Sequence, residues 1–291
     1  MKGYTDTPQR ARLSQYANLL TGFRATTTLE GMTRKLALVR RPSPKMADGI
    51  VTHIEKSAVS YDLGLRQWEG YVKALNDNGW ETVEVEPAPD CPDSVFIEDP
   101  VFVYGDLAII TRSGAPERRA EVAGVEKAVR DAGYRVVYIK EPGTVDGGDI
   151  LKFDGKVWVG QTPGGRTNEE GVRQLAEYLK EFDAEVIPVE MTKVLHLKSG
   201  VTALYDGTVV GYKPLVDDPT VWDKFMEVPE EPGSHVVLLE DNKILMSAAA
   251  PKSKELFESM GYEVVAVDIG EYEKLEGCVT CLSVRLRGDV G

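Results

Sequence analysis

One thiol, one imidazole and several carboxylates set among glycines are the groups in this chain whose types and spacing could do chemistry. Cys281 stands in Gly277-Cys-Val-Thr-Cys-Leu-Ser-Val-Arg285, at the entry to a strand-like run. A thiol becomes a useful nucleophile with an acid or base beside it, and the chain has three histidines to supply one. His196, in Leu195-His-Leu-Lys-Ser-Gly200, heads a hairpin, whereas His53 and His235 have unremarkable surroundings. Asp146-Gly-Gly-Asp149 puts a carboxylate before two glycines, which let backbone pass close to a ligand and present the acid inward. Phe96-Ile-Glu-Asp-Pro100 sets Glu98 and Asp99 in an apolar stretch, where neighbouring acids need a cation to be buried; Asp93 lies just upstream. Arg118 and Arg166 each stand at a helix entrance, where the helix dipole opposes a cation and a held anion would relieve it. Singly, each group also has a plain reading: a core cysteine, a structural histidine, a turn, a solvated arginine. Cys278 and Cys281 spell C-x2-C, but Cys91 is the one other cysteine, so a zinc site would need histidines from afar. With no phosphate loop and no metal cluster visible, neither a metal nor an organic cofactor is expected.

These groups are scattered over nearly 200 residues, from Asp93 to Cys281, so a scaffold must bring them together. The pattern that does so is a repeat. Helical periodicity over 65–78, 118–132, 171–182 and 251–260 is followed each time by an extended run, with glycine as the stop in three of the four. Between these units lie hairpins with turn chemistry at Gly105-Asp106, Asp154-Gly155, Asp206-Gly207 and Asp241-Asn242. Lys35–Val39 and the run 279–286 are left over, and together they complete a fifth unit and close a ring. The chain therefore reads as one α/β domain over 35–291, built of about five units around a central channel, behind an N-terminal extension 1–34.

Composition limits the partners. The net charge is −13, and residues 1–35 contribute +4 to it, which leaves −17 for the remainder. An acidic body repels nucleic acid and anionic membrane and tolerates a cationic small molecule. No apolar run is long enough to span a bilayer, and no secretory signal is expected. Three cysteines, an odd number, suit a reducing compartment, so a cytoplasmic location is expected.

Seven blocks, in order, resemble the dimethylarginine dimethylaminohydrolases of the guanidino-modifying (pentein) superfamily. They are Leu38-Val-Arg-Arg-Pro42, Phe96-Ile-Glu-Asp99, the run 110–119, Asp146-Gly-Gly-Asp149, Arg166-Thr-Asn168, His196-Leu-Lys-Ser199 and Val279-Thr-Cys-Leu-Ser283. The resemblance implies a five-bladed α/β propeller of ββαβ units, in agreement with the repeat count. It implies Cys281 as nucleophile, His196 as general acid and base, and Asp146 as their acidic partner. Asp99 and Asp146 would grip the guanidinium, with Glu98 nearby. Arg118 and Arg166 would hold the substrate carboxylate and Asp93 its α-amino group, beneath a lid at about 42–50. The implied reaction turns a methylated arginine into citrulline and an alkylamine through a covalent thiouronium. Arginine deiminase and amidinotransferase chemistry, and a catalytically silent binding scaffold, are the alternatives. Residues 1–34 have no counterpart in the resemblance, and Cys278 has no implied role.

Overall fold

A computed structural model describes residues 35–240 and 242–287 of the chain. The expected N-terminal extension, 1–34, and the turn residue Asp241 lie outside the described residues.

The leftover strands pair as the closure of a ring requires. Strand β1 (Lys35–Val39) runs antiparallel to β15 (Val284–Arg287), with Lys35 opposite Arg287, and parallel to β2 (Glu81–Glu84). Four more three-stranded sheets repeat this plan: an antiparallel hairpin whose second strand pairs parallel with a third. They are β3 (Val101–Tyr104), β4 (Leu107–Ile110) and β5 (Arg135–Tyr138); then β6 (Ile150–Phe153), β7 (Lys156–Gln161) and β8 (Glu185–Glu190). Strands β9 (Val201–Ala203), β10 (Val209–Gly211) and β11 (Phe225–Glu227) form the next, and β12 (Val236–Leu238), β13 (Lys243–Ser247) and β14 (Glu263–Val267) the last. The molecule is a five-bladed α/β propeller. A parallel third strand needs a crossover, and helices supply it in four blades: α1 (Tyr61–Asp77), α2 (Val125–Asp131), α3 (Glu169–Leu179) and α4 (Pro251–Ser259).

Each crossover helix buries one stripe against its sheet. In α3 the stripe is Val172, Leu175 and Leu179, which joins Phe102, Leu107 and Ile109 of one blade to Val157 and Val159 of the next. Asn168 caps this helix by accepting from the Gly171 N–H at 2.8 Å. Five such clusters form the core, so the interior is divided among the blades. No helix among the described residues is long and apolar enough to cross a membrane.

Three sequence expectations are corrected. The helix expected over 118–132 is broken: a 3-10 turn covers Pro116–Val122 and the α-helix starts at Val125, after Gly124 at φ 78°. The cause is Arg40, fully buried at the end of β1, which donates to the Glu121 and Ala123 carbonyls at 2.8 and 2.6 Å. Those carbonyls are thereby satisfied without a continuing helix. The fourth blade has 3-10 turns at Lys213–Leu215 and Pro219–Val221 where a crossover helix would stand, followed by β11, which periodicity did not reveal. The strand expected over 279–286 begins only at Val284, because Cys278–Cys281 forms a turn closed by the Cys281 N–H on the Cys278 carbonyl.

Candidate active site

The first strand of every blade is entered from one end of the ring, and the singled-out residues stand at those entrances. Asp99 precedes β3, Asp146 precedes β6, His196 precedes β9 and Cys281 precedes β15. Arg118 and Arg166 come from the loops that follow β4 and β7. Residues distant in sequence thus occupy equivalent places in successive repeats.

Close approach is made possible by glycine. A Cβ on Gly148 would lie 2.7 Å from both Asp99 Oδ1 and His196 Nδ1, and one on Gly147 would lie 2.0 Å from the Glu98 carbonyl. At Gly148 the backbone of the Asp146-Gly-Gly-Asp149 run therefore passes close against the Asp99 and His196 side chains.

A small pocket is lined by Asp93, Asp99, Arg118, Arg166, His196 and Cys281, with Ile50, Phe96, Leu195, Leu275, Glu276 and Gly277 completing its wall. Asp146 sits behind this wall, wholly buried, with Oδ2 3.1 Å from His196 Nε2 and accepting from Arg166 at 3.2 Å. Its Oδ1 has no partner among the described residues. Asp99 accepts from Arg118 at 2.6 Å and from the Gly148 N–H at 2.8 Å, and its Oδ1 lies 3.9 Å from His196 Nδ1. Asp99, Asp146 and His196 thus present donor atoms within 4.8 Å of one another, a spacing that suits a cation. The cations that meet these carboxylates here are the guanidinium groups of Arg118 and Arg166.

Charge is finely set in this enclosure. Burial works against a charged imidazole, but Asp99, Asp149 and Asp146 outweigh it and hold His196 up at about 9. Burial likewise opposes ionisation of Asp99, yet His196 and Arg118 keep it below the ordinary carboxylate range. Asp146 is lowered too, chiefly by its hydrogen bond with His196, against burial. Cys281 Sγ lies 3.3 Å from Cys278 Sγ. The hydrogen bond with Cys278, burial, and the charges of Glu98 and Asp99 all push the Cys281 thiol up. A cation beside it is what would bring the thiolate within reach.

The chain is 58% identical over 256 residues to N(G),N(G)-dimethylarginine dimethylaminohydrolase of Streptomyces coelicolor, covering 88% of this chain and 98% of that one. The chain belongs to the dimethylarginine dimethylaminohydrolase family. It is also 34% identical over 255 residues to the Pseudomonas aeruginosa enzyme of the same name, covering 86% of this chain and 99% of the other. A solved structure from Pseudomonas aeruginosa, a cysteine-to-serine mutant complexed with citrulline, superposes with a TM-score of 0.80 at 32% identity, over 88% of this chain and all of that one. No family model matches the chain.

Against the expectations drawn from resemblance to dimethylarginine dimethylaminohydrolases, six of the eight singled-out residues line one pocket and Asp146 backs it. Glu98 is the exception. Its carboxylate pairs with Lys198 at 2.5 Å and lines a different cavity, on the far side of the segment that carries Asp99. Its N–H donates to the Cys281 carbonyl at 3.2 Å, so it braces the Cys278–Cys281 turn. Arg118 is more committed than the sequence implied. Its Nε and one Nη grip Glu121 at 2.9 and 2.7 Å, the other Nη holds Asp99, and the Asp93 carbonyl accepts at 3.3 Å. Four of its five N–H groups are therefore engaged, whereas Arg166 is seen engaging one.

Sequence reasoning missed three supports in this member of the family. Glu121 orients Arg118 from three residues along the chain, a spacing that was legible. Asp149, raised to about 7 by burial, accepts from Thr167 Oγ1 at 2.6 Å and from the Leu197 N–H at 3.1 Å, which fixes the segment carrying His196. Glu276 accepts from the Thr52 and His53 N–H groups at 2.8 and 2.6 Å. Just upstream, the end of the expected lid is fastened by the Ile50 N–H on Asp93 at 3.1 Å. Nothing in the sequence linked residues 50–53 to residue 276.

Proposed function

We propose that this protein hydrolyses N-omega-methylated arginine to citrulline and an alkylamine, with Cys281 as nucleophile, His196 as general acid and base, and Asp146 holding the imidazole. The observation that carries the reading is one pocket in which Cys281 and His196 share a wall with Asp99, two arginines and a further carboxylate. The 58% identity over nearly the whole of a named relative supports the same activity.

The chemistry follows from the charges. A guanidinium carbon is a poor electrophile because its charge is spread over three nitrogens. Asp99, with Asp146 behind it, offsets removal of that cation from water, fixes its plane and keeps it protonated. The orphaned Asp146 Oδ1 is a lone pair that a guanidinium N–H can satisfy. Binding the cation beside Cys281 counters the carboxylates that push its thiol up, and the thiolate attacks the guanidinium carbon to form a C–S bond. His196, held up at about 9, is protonated at neutral pH and delivers its proton to the departing alkylamine as the C–N bond breaks. The neutral imidazole then takes a proton from the water that attacks the thiouronium carbon. Citrulline leaves, and the thiolate returns.

Arg166, with most of its donors uncommitted, takes the substrate carboxylate, aided by the remaining N–H of Arg118. Asp93 receives the α-ammonium. These two anchors favour a free amino acid over a peptidyl arginine. The acidic body of the chain and its three free cysteines suit a cationic small-molecule substrate in a reducing cytoplasm.

Acid quenching during turnover of asymmetric dimethylarginine, followed by peptide mass spectrometry, checks the intermediate. A substrate-derived amidino adduct on the peptide containing Cys281 is expected. An adduct on Cys91, or burst release of amine with none at all, would overturn the covalent scheme.

A further inference from the structure

A second cavity lies on the axis of the propeller, and the proposed reaction does not use it. Its wall is formed by the first strand of all five blades, β3, β6, β9, β12 and β15, each of which is the edge strand of its sheet. Its floor is the reverse side of the active-site segments: Glu98, Gly147 and Thr280 line it, and each is the chain neighbour of Asp99, Asp146 or Cys281. The cavity encloses about 230 Å³. That is several times the roughly 30 Å³ a water takes up in the liquid, so a small organic ion fits.

The lining is strongly basic in a chain whose net charge is −13. Lys152, Lys198, Arg285 and Arg287 face the cavity, and the one carboxylate among the lining residues, Glu98, is taken by Lys198. Lys152, Arg285 and Arg287 make no ion pair with any described residue. Lys152 donates to the Val103 carbonyl and lies 5.2 and 5.5 Å from the ring centres of Phe102 and Tyr104. Arg285 donates to Ser283 Oγ at 3.0 Å, and Arg287 to the Leu238 carbonyl. Each cation is thus held in place by neutral groups, which orient it without cancelling its charge. Confinement by the protein, together with the charges of Lys198, Arg287 and Arg285, pushes the Lys152 ammonium down to about 7. An anion of two charges would relieve this crowding.

We propose that the axial cavity is a binding site for a small dianion, a dicarboxylate or a phosphoryl compound, held by Lys152, Arg285 and Arg287. Lys198 ties this site to the catalytic face, since it pairs with Glu98 across the floor and stands two residues from His196.

Isothermal titration of the full chain with glutarate, inorganic phosphate and acetate at fixed ionic strength tests this. Saturable one-to-one binding of glutarate or phosphate is expected, at least tenfold tighter than acetate, and which of the two binds names the source. Lys152→Met with Arg287→Gln should weaken that binding at least tenfold while citrulline turnover without dianion stays within about twofold. A second readout needs no variant: the bound dianion should slow acylation of Lys152 by acetic anhydride severalfold. Equal weak binding of all three anions, unchanged affinity in the double variant, or unprotected Lys152 at saturating dianion would each overturn the proposal.

Discussion

Replacing His196 with asparagine is expected to lower kcat by about 10²–10⁴-fold, the usual worth of a positioned proton donor and acceptor. Asparagine keeps a polar side chain near Asp146 and Asp99 but has no proton to give the leaving amine. KM should change far less than kcat, because the lost interaction acts only as the C–N bond breaks. The pH profile sharpens the test. His196 is held up at about 9, so the wild-type kcat/KM should fall as pH rises through that value. Its rising limb should report the Cys278–Cys281 thiol pair. In the variant the falling limb should vanish while the rising limb stays. The same group contributes to stability: its folded pKa lies above the ordinary 6.5, so that contribution is fully present below about pH 6.5 and is lost as pH rises through 9. A variant with wild-type kcat and an unchanged falling limb would remove His196 from the proton transfer.

Arg118→Met is expected to destabilise the fold by about 3–5 kcal/mol, the usual penalty for removing one partner of a buried ionic network. Arg118, Asp99 and Glu121 are all buried, and the guanidinium joins the two acids and the Asp93 carbonyl. Without it, two carboxylates stand close together away from water. Their pKa values would rise, so the destabilisation should be larger at pH 8 than at pH 5, where neutral carboxyls can form. A fall in Tm on the order of 10 °C at neutral pH is expected for a domain of this size. Arg118→Lys should rescue little, since an ammonium cannot reproduce the forked contact with Glu121. Denaturant unfolding at the two pH values measures both effects. A loss that is the same at pH 5 and 8 would show that packing, and not charge, is what Arg118 supplies.

The repeat made most of the fold legible. Each hairpin carries a turn dipeptide between short apolar runs, so hairpin positions followed from local chemistry alone. What failed locally was settled by distant groups. The helix at 118–132 has good periodicity, yet Arg40, some 80 residues earlier, satisfies its carbonyls and Gly124 breaks it. Strand β11 is three residues long between Lys224 and Val228, too short for any period to declare itself. At the site, residue types and glycine context pointed to Cys281, His196, Asp99 and Asp146, and family resemblance ordered them. Orientation was another matter. Glu98 and Asp99 are adjacent in one turn, yet Glu98 lines the far cavity and Asp99 the pocket, and only the fold decides which of them faces which. Neighbours of one site residue can belong to a second cavity for the same reason.

The most direct test of the central claim is product analysis with asymmetric dimethylarginine as substrate, on wild type and Cys281→Ser in parallel. Citrulline and dimethylamine in equal amounts from the wild type, with neither from the variant and little citrulline from unmethylated arginine, is the predicted result. Citrulline formed mainly from arginine with release of ammonia, or undiminished turnover by Cys281→Ser, would contradict it.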